Sequence, residues 1–538
     1  MKFRLPLLLF LSSSTFLFIG YTIYNLQINQ GEQYTLKAQA QSLTSYESGA
    51  ERGSIYFTDK KGEKIPAAIN KEISVIYLVP REVEDIQETK ARILNQLIVD
   101  EAKLEESLNK VTDQYEEIKV GATNDEVKRI QAEEIKGVYI KNIRTRYYPF
   151  DSLAAHVLGF VGINKTTTKP QGLYGVESYY NRTLTGVTGI FSKSTDGKDI
   201  TLTIDRVVQV EAEKMAEKIV KEFQAESADI IVQDPRTGKI IAMTSYPTFN
   251  PNEYQDSFVK NFINPSVQLQ YEPGSAFKVL TMAAGIDSGA ITPDTTYTDY
   301  GELTIDGRTI RNWDLKAHGL TTMTDVLGQS INTGTVFAQQ KMGKEVFYKY
   351  IKDFGIKDLT NIDLPGESGG SIAPLEEEKR DINFATASYG QGISVTPIWL
   401  INAISAIANG GVLEQPYITN ESKSYVSRRI LEKETTDQVT KMMIDAVDGA
   451  HVAKIPNYSV AGKTGTAYIP NFESGGYTDE VINTYVGFAP ATRPEFTILI
   501  KLTKPQTQKL AGQTVVPAFR VLAQTLLTYY NSHPDRIE

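Results

Sequence analysis

Ser275 and Lys278 stand three residues apart in Tyr271-Glu272-Pro273-Gly274-Ser275-Ala276-Phe277-Lys278, and an apolar run, Val279 to Ile286, follows them. Pro273-Gly274 reads as a turn, and the run reads as a buried helix whose first turn carries both residues. Residues three apart share a helix face, so the amine can reach the hydroxyl. A serine hydroxyl is a poor nucleophile until a base removes its proton, and a lysine at this spacing is such a base. The same spacing recurs at Ser107/Lys110 and Ser257/Lys260. Context separates the three: a Pro-Gly turn precedes Ser275 and an almost uncharged helix follows it, whereas Ser107 lies among Glu and Lys. A buried helix holds a catalytic pair rigidly, and a solvated one does not.

Two more short motifs follow in order, Ser330-Ile331-Asn332 and Lys463-Thr464-Gly465-Thr466. Each is common alone, and Ser107-Leu108-Asn109 repeats the first. Other chemistries have little to build on. Cysteine is absent, which removes thiolates, disulfides and Cys-based metal sites. The four histidines, His156, His318, His451 and His533, show no metal-ligand spacing. Chain order alone permits a Ser-His-Asp triad, but nothing around these histidines supports one. A net charge of −9 gives no reason to expect a nucleic-acid partner.

The elements that must position these residues can be read along the chain. Its 538 residues allow two or three domains with sizeable cores. After the tail 1–4, with Lys2 and Arg4, residues 5–28 form the apolar part of an uncharged stretch, long enough to cross a bilayer as one helix. No small-residue cleavage site follows, so an uncleaved anchor is expected, with the N-terminus cytoplasmic and the remainder outside. Residues 29–200 mix short strands with charged helices: a strand at Lys71 to Leu78, one or two amphipathic helices at Arg81 to Val111, and a capping box at Thr123/Glu126. No chemistry is assigned there. Residues 201–538 begin with a long helix capped by Asp205, followed by a hairpin at Asp229 to Thr244. Helices are expected to about Ala408, then strands around Val460 to Tyr468, Tyr485 to Ala489 and Phe496 to Leu502, and a last helix to about Tyr530. The fold class expected is α/β (α+β), a sheet domain with an inserted helical subdomain.

The three motifs in this order form the pattern of the penicillin-recognising acyl-serine enzymes. From about Glu51 onward the chain closely resembles the monofunctional class B penicillin-binding proteins, the single-span wall transpeptidases. Glu51-Arg52-Gly53-Ser54-Ile55, Arg146-Tyr147-Tyr148-Pro149, His156 to Gly162 and Gly175-Val176-Glu177 look like the pedestal (dimerisation-type) motifs of that family. Tyr389 to Pro397 and Ala408-Asn409-Gly410-Gly411 resemble its transpeptidase signatures. Trp399 departs from the family's usual Gln and is expected to pack helices. Glu272-Pro273-Gly274-Ser275 leans toward the division type over the elongation type.

The resemblance implies a serine D,D-transpeptidase that cross-links peptidoglycan stem peptides through an acyl-Ser275 intermediate and is acylated by β-lactams. Lys278 would be the base. Its neutral form costs about 4.6 kcal/mol at pH 7, from roughly 3.4 units at 1.36 kcal/mol each, unless burial and a second cation, Lys463, lower the cost. Ser330 would relay the proton to the leaving amine, and Asn332 would bond the substrate amide. Lys463, Thr464 and Thr466 would hold the carboxylate and backbone of the substrate, with Gly465 admitting substrate close to the strand. The backbone N–H groups of Ser275 and Thr466 would form the oxyanion hole. No metal or organic cofactor is implied, and a glycan-polymerising membrane protein is the expected partner. A D,D-carboxypeptidase or β-lactamase is the rival enzyme, and a β-lactam sensor or silent wall scaffold the rival of another class. The pedestal argues against the former and the complete constellation against the latter.

Overall fold

The computed structural model describes residues 50–163, 170–186, 195–420, 426–471 and 475–536. The anchor expected at residues 5–28 lies outside them. Among the described residues no helix is long and apolar enough to cross a membrane.

The pedestal is built on a mixed five-stranded sheet. Strand β1 (Ile55–Thr58) pairs antiparallel with the long β2 (Lys64–Leu78). Helices α1 (Ile86–Gln96) and α2 (Glu101–Asn109) follow, then β3 (Glu116–Ala122), α3 (Asn124–Glu133) and β4 (Val138–Tyr147). Strands β3 and β4 flank β2, and β5 (Ile200–Asp205) closes the sheet parallel to β1. The capping box at Thr123/Glu126 forms as expected. Strand β2 starts at Lys64 rather than Lys71. Pro66 argues against a strand, but the segment 64–68 pairs only with β1, so its missing N–H breaks no second ladder. Ile76, Leu78, Ile93, Leu104, Leu108 and Ile130 form a separate small core at the far end.

Three of the quoted pedestal motifs converge on one buried ion cluster. The Glu177 carboxylate is fully buried and accepts from Arg52 at 2.7 Å and Arg146 at 2.6 Å. Removing one partner from such a cluster would leave an uncompensated buried charge, at about 3–5 kcal/mol.

Asp205 ends β5 and caps α4 (Arg206–Phe223), accepting from the N–H groups of Val207 and Val208. The helix buries Val208, Ala212, Met215, Ile219 and Phe223, the stripe read from the sequence. The hairpin β6 (Ser227–Gln233) and β7 (Ile240–Tyr246) comes next. A long insertion then carries α5 (Lys278–Asp287), α6 (Asn332–Met342), α7 (Pro397–Ala408) and α8 (Lys433–Ala450). The sheet resumes with β8 (Ala461–Pro470), β9 (Tyr477–Ala489) and β10 (Phe496–Thr503), and α9 (Val515–Tyr530) follows.

The second sheet runs β8-β9-β10-β6-β7 and is antiparallel throughout. Its two faces alternate as strand geometry requires. Ile498, Ile500 and Leu502 of β10 pack with α4 and α9, while Leu499 faces the core that contains α5 and α7. The insertion is not purely helical. Strand Thr296–Asp299 pairs with Gly319–Thr322, and Glu302–Ile305 with Arg308–Arg311. The second pair turns at Asp306-Gly307, both at positive φ, a hairpin signal that the helical reading passed over. Trp399 is buried, donates from Nε1 to the Phe354 carbonyl at 3.0 Å and faces the Phe277 ring, so it packs helices as expected.

Candidate active site

Ser275 lies in a single 3-10 turn, Gly274–Phe277, and the α-helix begins only at Lys278. The two residues therefore bracket a junction rather than share the first turn of α5. The serine is half-buried, and the lysine is completely buried. The turn is held from behind by the Tyr389 to Pro397 signature. Tyr271 and Val395 exchange both backbone hydrogen bonds at 2.9 Å, and Gly274 N–H donates to the Gly390 carbonyl at 3.1 Å. A Cβ on Gly390 would lie 2.2 Å from the Gly274 carbonyl oxygen, so only glycine permits this approach.

Lys278 does not bond Ser275 in this state. Its Nζ donates to the Ser330 carbonyl at 2.6 Å, to Asn332 Oδ1 at 2.7 Å and to Ser330 Oγ at 3.3 Å. Lys463 Nζ reaches the same hydroxyl, donating to Ser330 Oγ at 3.0 Å and to Thr464 Oγ1 at 3.2 Å. Ser330 stands at φ +59°, a left-handed conformation uncommon outside glycine. That conformation presents both its carbonyl and its hydroxyl to Lys278. Strain of this kind, about 1–3 kcal/mol, persists where the surroundings over-determine it. The three motifs, far apart in sequence, thus meet through two amines and one hydroxyl.

The electrostatics follow from burial. Desolvation first, and then the nearby charge of Lys463, hold the Lys278 amine well below its usual range. Burial pushes Lys463 down to about 7. Among the described residues no carboxylate pairs with either lysine. Both effects favour loss of the proton that a lysine must shed before it can act as a base.

Lys463, Thr464, Gly465 and Thr466 lie on β8, the edge strand, with the two threonines half-buried. Gly465 has a cause in the packing besides the approach of substrate expected of it. A Cβ there would sit 2.7 Å from the Pro273 carbonyl and 3.3 Å from Ala276, so the turn that carries Ser275 itself demands the glycine. The close packing of strand against turn fixes Ser275 relative to Thr466.

Asn332 opens α6, with its Nδ2 donating to the Arg311 carbonyl at 2.8 Å. The next residue, Thr333, donates to the buried Asp299 at 2.6 Å, and Asn312 donates to the other oxygen of Asp299 at 2.8 Å. Asp299 and Asn312 set the start of α6 and carry no short motif that could have singled them out. The decoy pairs are elsewhere. Ser107 is buried and donates to Glu116, which also pairs Lys110. Lys260 is exposed on a surface turn that follows Ser257.

The chain resembles known proteins along both of its parts. Residues 229–524 match the penicillin binding protein transpeptidase domain, and residues 47–242 match the penicillin-binding protein dimerisation domain. The chain is 32% identical to stage V sporulation protein D of Bacillus subtilis, over 95% of this chain and 83% of that one. It is 26% identical to the peptidoglycan D,D-transpeptidase FtsI of Escherichia coli K12, over 95% and 89%. The crystal structure of penicillin binding protein 3 from Mycobacterium tuberculosis complexed with aztreonam superposes with a TM-score of 0.72 at 26% identity, covering 91% of this chain and 98% of that one.

Proposed function

Because the chain belongs to the penicillin-binding protein transpeptidase family, we propose that Ser275 is the nucleophile of a class B peptidoglycan D,D-transpeptidase. The observation that carries the site assignment is the convergence on Ser330 Oγ of two buried lysines, one of them three residues after the half-buried Ser275. Neutral Lys278 takes the proton of Ser275 as Oγ bonds the carbonyl carbon of the penultimate D-Ala. The backbone N–H groups of Ser275 and Thr466 receive the oxyanion, a contribution on the order of 2.7–4 kcal/mol per donor in comparable sites. As the C–N bond breaks, the proton passes from Lys278 through Ser330 Oγ to the leaving D-Ala amine. An acceptor amine then attacks the ester, gives its proton back along the same path and restores Ser275. Lys463, while protonated, and the Thr464 and Thr466 hydroxyls hold the terminal carboxylate, and Asn332 orients the stem-peptide amide.

Further parts of the reading rest on sequence. Residues 5–28 anchor the chain in the bacterial cell membrane, with 29–200 as pedestal and 201–538 as the transpeptidase domain outside. A glycan-polymerising membrane protein supplies the strands, and the Glu272-Pro273-Gly274-Ser275 context favours the division type.

Labelled penicillin tests the nucleophile, because its strained amide mimics the D-Ala-D-Ala bond. Ser275→Ala is expected to abolish labelling, while Ser107→Ala and Ser257→Ala label near the wild-type rate. An adduct mapped to another serine overturns the assignment.

A further inference from the structure

Glu272 stands three residues before the nucleophile and has no role in the acylation steps above. Its carboxylate accepts from the Gly392 N–H at 3.0 Å and from the Tyr477 hydroxyl at 3.1 Å. Gly392 lies in the turn that backs Ser275, and Tyr477 opens β9 opposite Pro470, at the end of the β8-β9 hairpin away from Lys463. Among the described residues no lysine or arginine pairs with Glu272. It nevertheless remains partly open to solvent. Burial outweighs its two hydrogen bonds and raises its pKa.

Other carboxylates show what is distinctive here. Glu177 and Asp229 are buried but matched by arginines and by Lys501. Glu367 and Asp363 lack a cation, but they cap backbone amides away from the cleft. Glu272 alone of these lies in the nucleophile segment, with lone pairs left over after two donors.

The proposed reaction needs such a group. Its acceptor is a primary amine, which is protonated at pH 7 when its pKa is near 10.4. The cleft otherwise presents Lys278 and Lys463, which repel an ammonium whenever either is charged. We propose that Glu272, oriented by Tyr477 and Gly392, is the subsite that receives a protonated amine of a peptidoglycan stem peptide beside Ser275. The inference rests on the assignment of Ser275. Two amines share this chemistry: the attacking amine of the acceptor stem, which passes one proton to the Glu272 carboxylate and thence to solvent before its lone pair attacks the ester, and a free side-chain amine on the donor stem, which stays protonated.

The test uses the full-length chain in detergent, and each readout is a ratio within one variant, so that any general loss cancels. In the first arm, acyl-Ser275 formed from a side-chain-acetylated stem donor partitions between an amine acceptor and water. In the second, donors with free and with acetylated side-chain amines are compared by kcat/KM. Glu272→Gln is expected to lower one of the two ratios at least about tenfold, the worth of one charge-assisted hydrogen bond. Loss in the first arm assigns the acceptor amine, and loss in the second assigns the donor amine. Tyr477→Phe should lower the same ratio by less, and it keeps the test open if Glu272→Gln folds poorly. Both ratios unchanged in both variants overturn the subsite. Failure of the wild-type chain to label at Ser275 overturns the underlying assignment instead, and benzylpenicillin labelling separates the two outcomes.

Discussion

Lys463 is 4% exposed, and its amine shares the Ser330 hydroxyl with that of Lys278. Two ammonium groups on one oxygen repel each other, so each proton on one makes a proton on the other costlier. The direction of a change at Lys463 follows. Lys463→Ala removes a nearby positive charge, so the Lys278 pKa rises from its depressed value and less neutral base is present at a given pH. The ascending limb of the acylation rate against pH is expected to move to higher pH, with slower acylation and poorer apparent affinity for carboxylate-bearing substrates near pH 7. Penicillin acylation kinetics across pH check both. An unshifted limb would detach Lys463 from the base. At this scale the sequence carried the groups that the structure brings together, because three short motifs in order are legible as text. It did not carry their wiring. Lys278 bonds Ser330 and Asn332 rather than Ser275, a consequence of the left-handed φ of Ser330 that no residue type announces. Asp299 and Asn312 were silent for the same reason, since they act by holding backbone.

Elements, rather than side chains, bring Ser275 and Thr466, the proposed nucleophile and oxyanion donors, into register. Strand β8 packs on the 3-10 turn through Gly465, and the contact leaves no room for a methyl group. Gly465→Ala is expected to push the turn from the strand by a few tenths of an ångström or more, lowering penicillin acylation about 10²-fold at nearly unchanged thermal stability. Rates near wild type in a folded Gly465→Ala chain would sink the registration argument. The long helices and the sheet hairpins were legible because their periodicity and caps are local. The strands at 296–299 and 319–322 were not, since their pairing reaches across an intervening hairpin, the one whose own Asp306-Gly307 turn was a local signal passed over. Strand β2 extended past Pro66 because its partner on one side alone was β1. Local signals fix elements, and partners decide their ends.

The whole molecule joins two sheets of different kind. The core around α5 and α7 continues into the pedestal through Ile55, Phe57, Leu158 and Phe160, so the catalytic part does not end where the pedestal begins. The architecture as a sheet domain with an inserted helical subdomain was readable from the order of elements, whereas the shared core was not, because no local pattern records which faces meet. The full chain is expected to sediment with membranes and resist carbonate extraction, and deletion of 5–28 is expected to release it. A mature N-terminus beyond residue 20 would remove the anchor.

Strands β1 and β5 run parallel, one entering the pedestal from the N-terminal side and the other leaving it for the transpeptidase domain. Tension between the N-terminal end of the chain and the catalytic domain therefore pulls these neighbours in opposite directions along their length. Such a load is shared by the ladder bonds together, instead of breaking them one after another as in a zipper pulled from its end. The pedestal beyond them, with its own small core, hangs outside that line of force as a closed loop. A pull on the N-terminal end stretches the β1–β5 seam while the distal lobe stays slack.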